Sequence, residues 1–262
     1  MWNRRHTGLK IAGWTMAAIL ALPLIVLLGV SVNPGVEQVF PPQGFSLRWY
    51  ANLANRHGFI DATRLTLLLA VGSTIVSVTV GLLAGIAITR FDFLGKDLVL
   101  TAILSPLIVP QVVVGMAFLV TLSSLGIVTS VVSLAILHCV ITLPFAARVI
   151  VSALAASSRS LEEAAQSLGA SPVRAFLSVT VPMIRPGLVA AAIFAFVTSF
   201  ENFTASQFLV WDRTTLPVEL YNFVQTESDP TAAALSSLIL LPVIVLVILF
   251  NSFIGQHMFS RK

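Results

Sequence analysis

Ser160-Leu161-Glu162-Glu163-Ala164-Ala165-Gln166-Ser167-Leu168-Gly169-Ala170-Ser171-Pro172 forms the core of the longest polar interruption in an otherwise strongly apolar chain. Of the 262 residues, 57% are hydrophobic and only 10% charged, and the mean hydropathy is +0.96. A water-soluble domain of this length has no interior large enough to hide that much apolar surface. Composition therefore points to an integral membrane protein, with the quoted segment lying outside the bilayer.

Crossing a bilayer takes about 20 mostly apolar residues. Six stretches qualify: 11–32, 65–89, 98–122, 127–151, 187–210 and 231–253. The first follows Arg4, Arg5 and Lys10, as a secretion signal would. It is long for a signal and ends in no small-x-small cleavage pattern, so it reads as a retained helix. The expected fold class is an all-α integral membrane protein with six transmembrane helices, one domain over 1–262, and a loop at 152–186 within it.

Arg4, Arg5, Lys10, Arg90, Lys96, Arg148, Arg159, Arg174, Arg185, Arg261 and Lys262 fall on the side holding both termini, eleven of the fifteen basic residues. Arg48, Arg56, Arg64 and Arg213 fall opposite. The positive-inside rule then makes the termini and the 152–186 loop cytoplasmic, and the acidic residues Glu37, Asp61, Asp212, Glu219, Glu227 and Asp229 lean outward. The basic balance is thus a topology signal rather than a nucleic-acid footprint. Trp49, Tyr50 and Trp211 near outer helix ends are expected in an interfacial aromatic belt. The single Cys139 forms no intrachain disulfide. Residues 45–53 and 216–224 are expected as short amphipathic helices in the outer loops, serving as lipid anchors or as a landing surface for an external partner.

Within the quoted segment, Ser160 and Glu163 have the spacing of a capping box, and Glu162 and Glu163 suit the positive end of a helix. Leu161, Ala164, Ala165 and Leu168 recur at helical spacing as a small, smooth apolar stripe. Gly169 supplies a left-handed stop. Ser171-Pro172 then opens a second helix, cap first and proline at its first position, which Pro182 and Pro186 close before the fifth span. The spacing fits equally an ordinary connecting loop, because capping boxes are common.

Glu163-Ala164-Ala165 followed by Gly169, Val179, Pro182 and Pro186 resembles the EAA loop of permease subunits from binding-protein-dependent ABC importers, with Val181 where the pattern has leucine. Six spans and an inside N-terminus agree with the small type I permeases. The resemblance implies that the first loop helix is a coupling helix seated in a cytoplasmic ATPase. Ala164 and Ala165 would allow close approach, Gly169 the turn, and Glu163 a polar contact or the cap itself, with Glu162, Leu168, Ala170 and Ser171 completing the set. It also implies two ATPase subunits, a second and different homologous permease, an external solute-binding protein, and a bacterial inner membrane. This chain has no Gly-x-x-x-x-Gly-Lys-Ser/Thr phosphate loop, so Mg-ATP belongs to the ATPase partner and no cofactor is expected here.

Three further stretches resemble the polyamine-type branch of that family: Phe45-Ser46-Leu47-Arg48-Trp49-Tyr50, the run from Leu107 through Pro110 and Gln111 to Gly115, and the run from Thr198 to Leu209 followed by Leu216-Pro217. The resemblance implies a small organic solute, with a polyamine, amine or amino-acid derivative favoured. Glu201-Asn202 departs from the Asp-Asp or Asp-Glu common in that branch.

Glu201 is the one acidic residue well inside an expected span, and intramembrane charges usually face a pathway, cavity or partner. On a continuous helix it shares a face with Phe194, Val197, Thr198, Thr204, Ala205 and Phe208, beside a stripe of Phe196, Phe200 and Phe203. Glu201, Asn202, Phe194, Phe200, Thr198, Thr204 and Phe208 are therefore the candidate substrate pathway, suited to a cationic solute through charge and cation–π contact. Pairing with a partner subunit, or a wetted position near the outer interface, are the competing readings. Pro106 and Pro110 should bend the third span, as a gate or as simple packing; Pro144 and Pro242 read as packing. Gly81 and Gly85 make a small-residue face for contact within the subunit. His138 beside Cys139 has no second ligand, so a hydrogen-bonded packing role is expected and no metal site.

A competing function is an ion-coupled secondary transporter, which needs coupling-ion ligands in its spans, and only Glu201 is acidic there. An intramembrane enzyme is discounted, since neither His-Glu-x-x-His nor Gly-x-Ser-x-Gly occurs.

Overall fold

The computed structural model describes residues 3–127, 129–227 and 229–241, and no strand occurs among them. Helix α1 is Asn3–Ser31, α2 Arg48–Ala54, α3 His57–Arg90, α4 Lys96–Leu104, α5 Gln111–Ser124 and α6 Ser130–Ala156. The short helices α7, Arg159–Ser167, and α8, Pro172–Ala175, precede α9, Val181–Phe200, and α10, Leu216–Thr226. Helix α11 is described over Thr231–Leu241.

Among the described residues four helical runs are long and apolar enough to span a membrane: Gly8–Ser31, His57–Arg90, Ser130–Ala156 and Pro172–Phe200. A fifth crossing results if the bent pair of α4 and α5 counts as one. The expected sixth span is described only as far as Leu241; its remainder, with Pro242, Arg261 and Lys262, lies outside the described residues.

Two of the expected spans differ from the sequence reading. The stretch at 98–122 is not one bent helix but two helices meeting at 101°. Pro106 sits in a 3-10 turn, Ser105–Leu107, that ends the first arm. Pro110 adopts φ −55° and ψ 133° and caps the second arm with its carbonyl, which accepts the N–H groups of Val113 and Val114. Each proline removes a backbone donor, and the extended geometry of Pro110 stops the first helix outright.

The fifth span is the run Pro172–Phe200 rather than 187–210. Pro182 and Pro186 do not close the preceding helix, because a π turn at Phe176–Thr180 comes just before them. The wider turn shifts the ladder at Ser178, whose carbonyl the Pro182 ring would otherwise meet. The helix then ends at Phe200, ten residues before the expected end at Val210.

The chain forms two compact units, one comprising Asp61–Glu219 and the other the described residues up to Ile60 with those from Leu220 onward. In Asp61–Glu219 the central element is α6, buried along most of one face. One apolar cluster joins Leu134, Leu137 and Ile141 of α6 to Leu65, Leu69, Val114 and Leu209. A second joins Ile150 and Leu154 to Ile184, Ala191 and Ala195 of α9. Gly81 and Gly85 of α3 face α6 as expected: a Cβ at Gly81 would lie 3.2 Å from the Ala147 nitrogen, and one at Gly85 would lie 3.0 Å from Leu154 Cδ1. Such close approach is the main route to tight packing in lipid, where apolar burial alone gains little.

In the other unit, Trp49 is buried and Tyr50 half-buried. The Trp49 indole N–H donates to the Asn33 carbonyl at 2.7 Å. The Tyr50 hydroxyl bonds the Ser31 and Ser237 hydroxyls. The indole supplies a donor to a buried loop carbonyl, while Tyr50 ties side-chain hydroxyls together. Arg56 forms a two-pronged pair with Glu227 at 2.7 and 2.6 Å and covers the Phe223 ring. The expected amphipathic stretch 216–224 is indeed helical, within α10. Along Gly8–Ser31 the most apolar window of α1 is entirely exposed on this chain, as suits a helix facing lipid.

Candidate functional site

Helix α7 carries the Glu-Ala-Ala sequence and ends as its residues require. Gly169 sits at φ +93°. Its N–H bonds the Gln166 carbonyl at 2.9 Å, and the Ala170 N–H reaches back to Ala165 at 3.1 Å. These two bonds are a Schellman turn. Ser171 caps α8, its hydroxyl accepting the Arg174 N–H, with Pro172 in the first turn, as the sequence indicated.

The start of α7 differs from expectation. Ser158, not Ser160, holds the cap position, and no side-chain cap bond forms. The Ser160–Glu163 capping box is absent because Glu163 pairs with Arg159 at 3.1 Å, one turn back along the helix. Glu163, Ala164, Leu168 and Ser171 are exposed, whereas Ala165 and Ala170 are partly covered. Leu168, 90% exposed, stands at the tip of the loop beside Gly169.

Glu162 behaves differently from its neighbour. Its carboxylate lies 3.3 Å from the Arg90 guanidinium at the end of α3 and accepts the Thr180 hydroxyl at 2.6 Å. Arg90 also donates to the Ser157 hydroxyl at the end of α6. Nothing in the helical spacing separated Glu162 from Glu163, and Asp92, two positions after Arg90, pairs instead with Lys96.

The pathway candidates are divided by the end of α9. Glu201 does not lie inside a spanning helix. It is exposed at the C-terminal cap, with its N–H bonded to Val197. Thr204, Ala205 and Phe208 therefore do not continue a helical face with it, since the chain leaves the helix and turns through Ser206–Phe208. Phe194 is exposed, Thr198 half-buried, and Phe200 stacks on Phe196 at 5.7 Å. Ala205 is buried because Gly115 of α5 packs against it: a Cβ there would lie 2.7 Å from both the Ala205 oxygen and Phe208 Cδ2.

Asn202 is buried and belongs to a polar cluster that sequence reading did not assemble. Its amide N–H donates to Gln111 Oε1 at 2.9 Å. Its Oδ1 accepts both the backbone N–H and the hydroxyl of Ser206. His138 bridges Ser199 through Nδ1 at 2.6 Å and Ser206 through Nε2 at 3.0 Å. Because the Ser206 proton goes to Asn202, Nε2–H must be the donor to Ser206, and Nδ1 accepts from Ser199. Both ring nitrogens of His138 are then satisfied, which fits the packing role expected of it. The cluster ties the first residue of α5, just past the proline break, to the end of α9.

Beyond α9 the connector is pinned at the start of α6. The Ser130 hydroxyl oxygen accepts the N–H groups of Trp211, Asp212 and Arg213, while Asp212 accepts the Ser130 N–H at 3.0 Å. That backbone donor, with the Ser130 hydroxyl, holds the Asp212 carboxyl below its ordinary value. No group of three or more His, Cys, Asp or Glu able to hold a metal occurs among the described residues.

Long apolar helices, a broken helix pair and an exposed amphipathic loop define an all-helical protein with helices of membrane-spanning length. Residues 77–260 match the model of the binding-protein-dependent transport system inner membrane component family, and the chain belongs to that family. It is accordingly a permease subunit of an ABC importer in a bacterial inner membrane. It is 29% identical to the spermidine/putrescine transport system permease protein PotC of Escherichia coli (strain K12) over 248 residues, 92% of each chain. It is also 29% identical to the putrescine transport system permease protein PotI of the same strain, covering 84% of this chain and 81% of that one. A bacterial ABC transporter involved in importing the acidic polysaccharide alginate has the same fold: TM-score 0.67, 16% identity, 99% of both chains covered. The ion-coupled secondary transporter finds no support in these findings.

Proposed function

We propose that this permease carries a small cationic solute of the polyamine or amine class, and that α7 receives the work of a cytoplasmic ATPase. On this reading the termini and the 152–186 loop face the cytoplasm. Two ATPase subunits bind the Mg-ATP, a second, homologous permease completes the pathway, and an external binding protein delivers the solute.

The observation that carries the substrate reading is the position of Glu201. It is exposed at the carbonyl end of α9, where the helix dipole adds partial negative charge to its own. A cation visiting that position would be attracted by both charges. The Phe196–Phe200 pair one turn earlier offers aromatic faces to the same cation. Relatives whose names specify spermidine and putrescine point the same way. The coupling reading is supported by the exposed leucine and glycine at the loop tip, since an apolar side chain 90% exposed at a rigid turn suits insertion into a partner.

Uptake of radiolabelled putrescine and spermidine into cells producing the complete transporter tests the substrate. Glu201→Gln should lower uptake about ten-fold, as loss of one charge contact worth about 1.4 kcal/mol would do, with the amount of assembled complex unchanged. Uptake of neither amine above a strain lacking this chain, or undiminished uptake by Glu201→Gln, would remove the cationic reading.

A further inference from the structure

We propose that Glu162 is a positioning residue for energy coupling: through Arg90 and Thr180 it locks α7 to the ends of three spanning helices, so that a displacement of α7 moves α3, α6 and α9 as one body. This rests on the reading that work enters at α7.

The two neighbouring glutamates of the loop point to opposite surroundings. The side chains of Glu163 and its partner Arg159 are each 62% exposed. Those of Glu162 and Arg90 are 16% and 12% exposed. Glu163 is therefore free to meet a partner, whereas Glu162 is committed inward. One carboxylate oxygen, Oε2, joins three elements: it belongs to α7, faces Arg90 at the last residue of α3, and accepts from Thr180 at the last residue of the π turn. Arg90 extends the tie to α6 by donating to Ser157, whose hydroxyl bonds the Leu154 carbonyl. Its positive charge at the carbonyl end of α3 also suits that helix's dipole.

Two features make this tie matter mechanically. A nine-residue helix has little stability alone and keeps its place by tertiary contact. Yet apolar packing does not fill the space around α7: a groove of about 600 Å³ opens beside the clamp, lined in part by Ile86, Phe91, Gln166 and Val173. The polar tie is what spans the gap. The second feature is the π turn, a place where a helix yields readily. Thr180 ends that turn and is 1% exposed, so its bond to Glu162 braces the weak point of the link between α8 and α9.

The test uses the complete transporter, with its own ATPase, carrying Cys139→Ser and spin labels at Ser167→Cys on α7 and Val189→Cys on α9. Distances are measured without nucleotide and with ATP plus vanadate. With the clamp intact, the label separation should change by no more than about 2 Å, the scale of a packed helix adjustment. In Glu162→Gln and in the isosteric Thr180→Val, it should shift or broaden by about 5 Å, the scale of one helical turn, with ATPase still co-purifying. The double variant should be no worse than either single one, as expected of groups acting as a unit. Unchanged distances in both variants would overturn the proposal. So would loss of ATPase from Glu162→Gln but not from Thr180→Val, which would make Glu162 a docking contact. If the unaltered chain brings down no ATPase, the coupling reading and this inference fall together.

Discussion

Replacing Gly169 distinguishes a need for a particular backbone turn from a need for empty space. The residue sits at φ +93°, and a Cβ built on it meets no atom within 4 Å. Within this chain the whole cost of a side chain is therefore conformational, about 1–2 kcal/mol for an L-residue held in the left-handed region. Escaping that region would sacrifice the Schellman bonds at 2.9 and 3.1 Å, each worth about 1 kcal/mol net. Alanine, at about 1 kcal/mol, should keep the turn under strain; valine, at about 2 kcal/mol or more, brings the strained turn level with its loss. Those values correspond to roughly five-fold and thirty-fold drops in occupancy of the native turn. Asparagine, which tolerates positive φ, should stay within about two-fold of glycine. If ATP hydrolysis stimulated by the binding protein follows that occupancy, reconstituted transporters should rank Gly, Asn, Ala, Val. Membrane insertion should be equal in all four. An alanine variant as active as glycine, together with an asparagine variant as poor as valine, would refute the conformational argument and point to a partner that excludes bulk at the loop tip.

Gly115→Ala should lower the melting temperature in detergent by several degrees, since its Cβ would press to 2.7 Å on the Ala205 oxygen and overpacking costs about 1–3 kcal/mol. Asn202→Leu should cost about 2–3 kcal/mol by taking the donor from Gln111 Oε1 and the acceptor from the Ser206 N–H and O–H groups; differential scanning fluorimetry would register it, and a stability equal to that of the unaltered protein would dismiss the cluster as energetically idle. The Arg56 hydrogen bonds, then its charge, hold Glu227 below the ordinary carboxyl value of 4.5. Because the folded value is the lower one, that pair's contribution is fully present above about pH 4.5 and is lost as pH falls through the depressed value. Glu227→Gln should flatten the acid side of the stability profile, as measured by melting temperature between neutral and strongly acidic pH.

Membrane character, the existence of the α3 and α6 spans, and the glycine stop of the loop helix were all readable from residue order. Each depends on local quantities: apolar length, small-residue spacing, and a backbone angle that only glycine adopts easily. The Ser171-Pro172 helix start belongs with them, since a cap needs only its own next three residues. The errors cluster where one local rule was overridden by another. At Pro110 the expected bend is a full break, whereas Pro182, expected to help close a helix, follows directly on the π turn, and Pro186 lies inside α9. That early start moved the fifth span, and with it Glu201 from mid-helix to a helix end.

Which glutamate turns inward was beyond any linear pattern. Glu162 and Glu163 are adjacent, equally charged and equally suited to a helix start, and only the end of α3 and the buried Thr180 decide between them. The same holds for Asn202, whose partner Gln111 stands 91 positions away, and for His138, 68 positions from Ser206; they come together only after α5, α6 and α9 have packed. Short-range preferences act through backbone geometry and can be written into neighbouring residues. A buried hydrogen bond between distant residues exists only once the chain has closed around it, because only then is water no longer the competing partner.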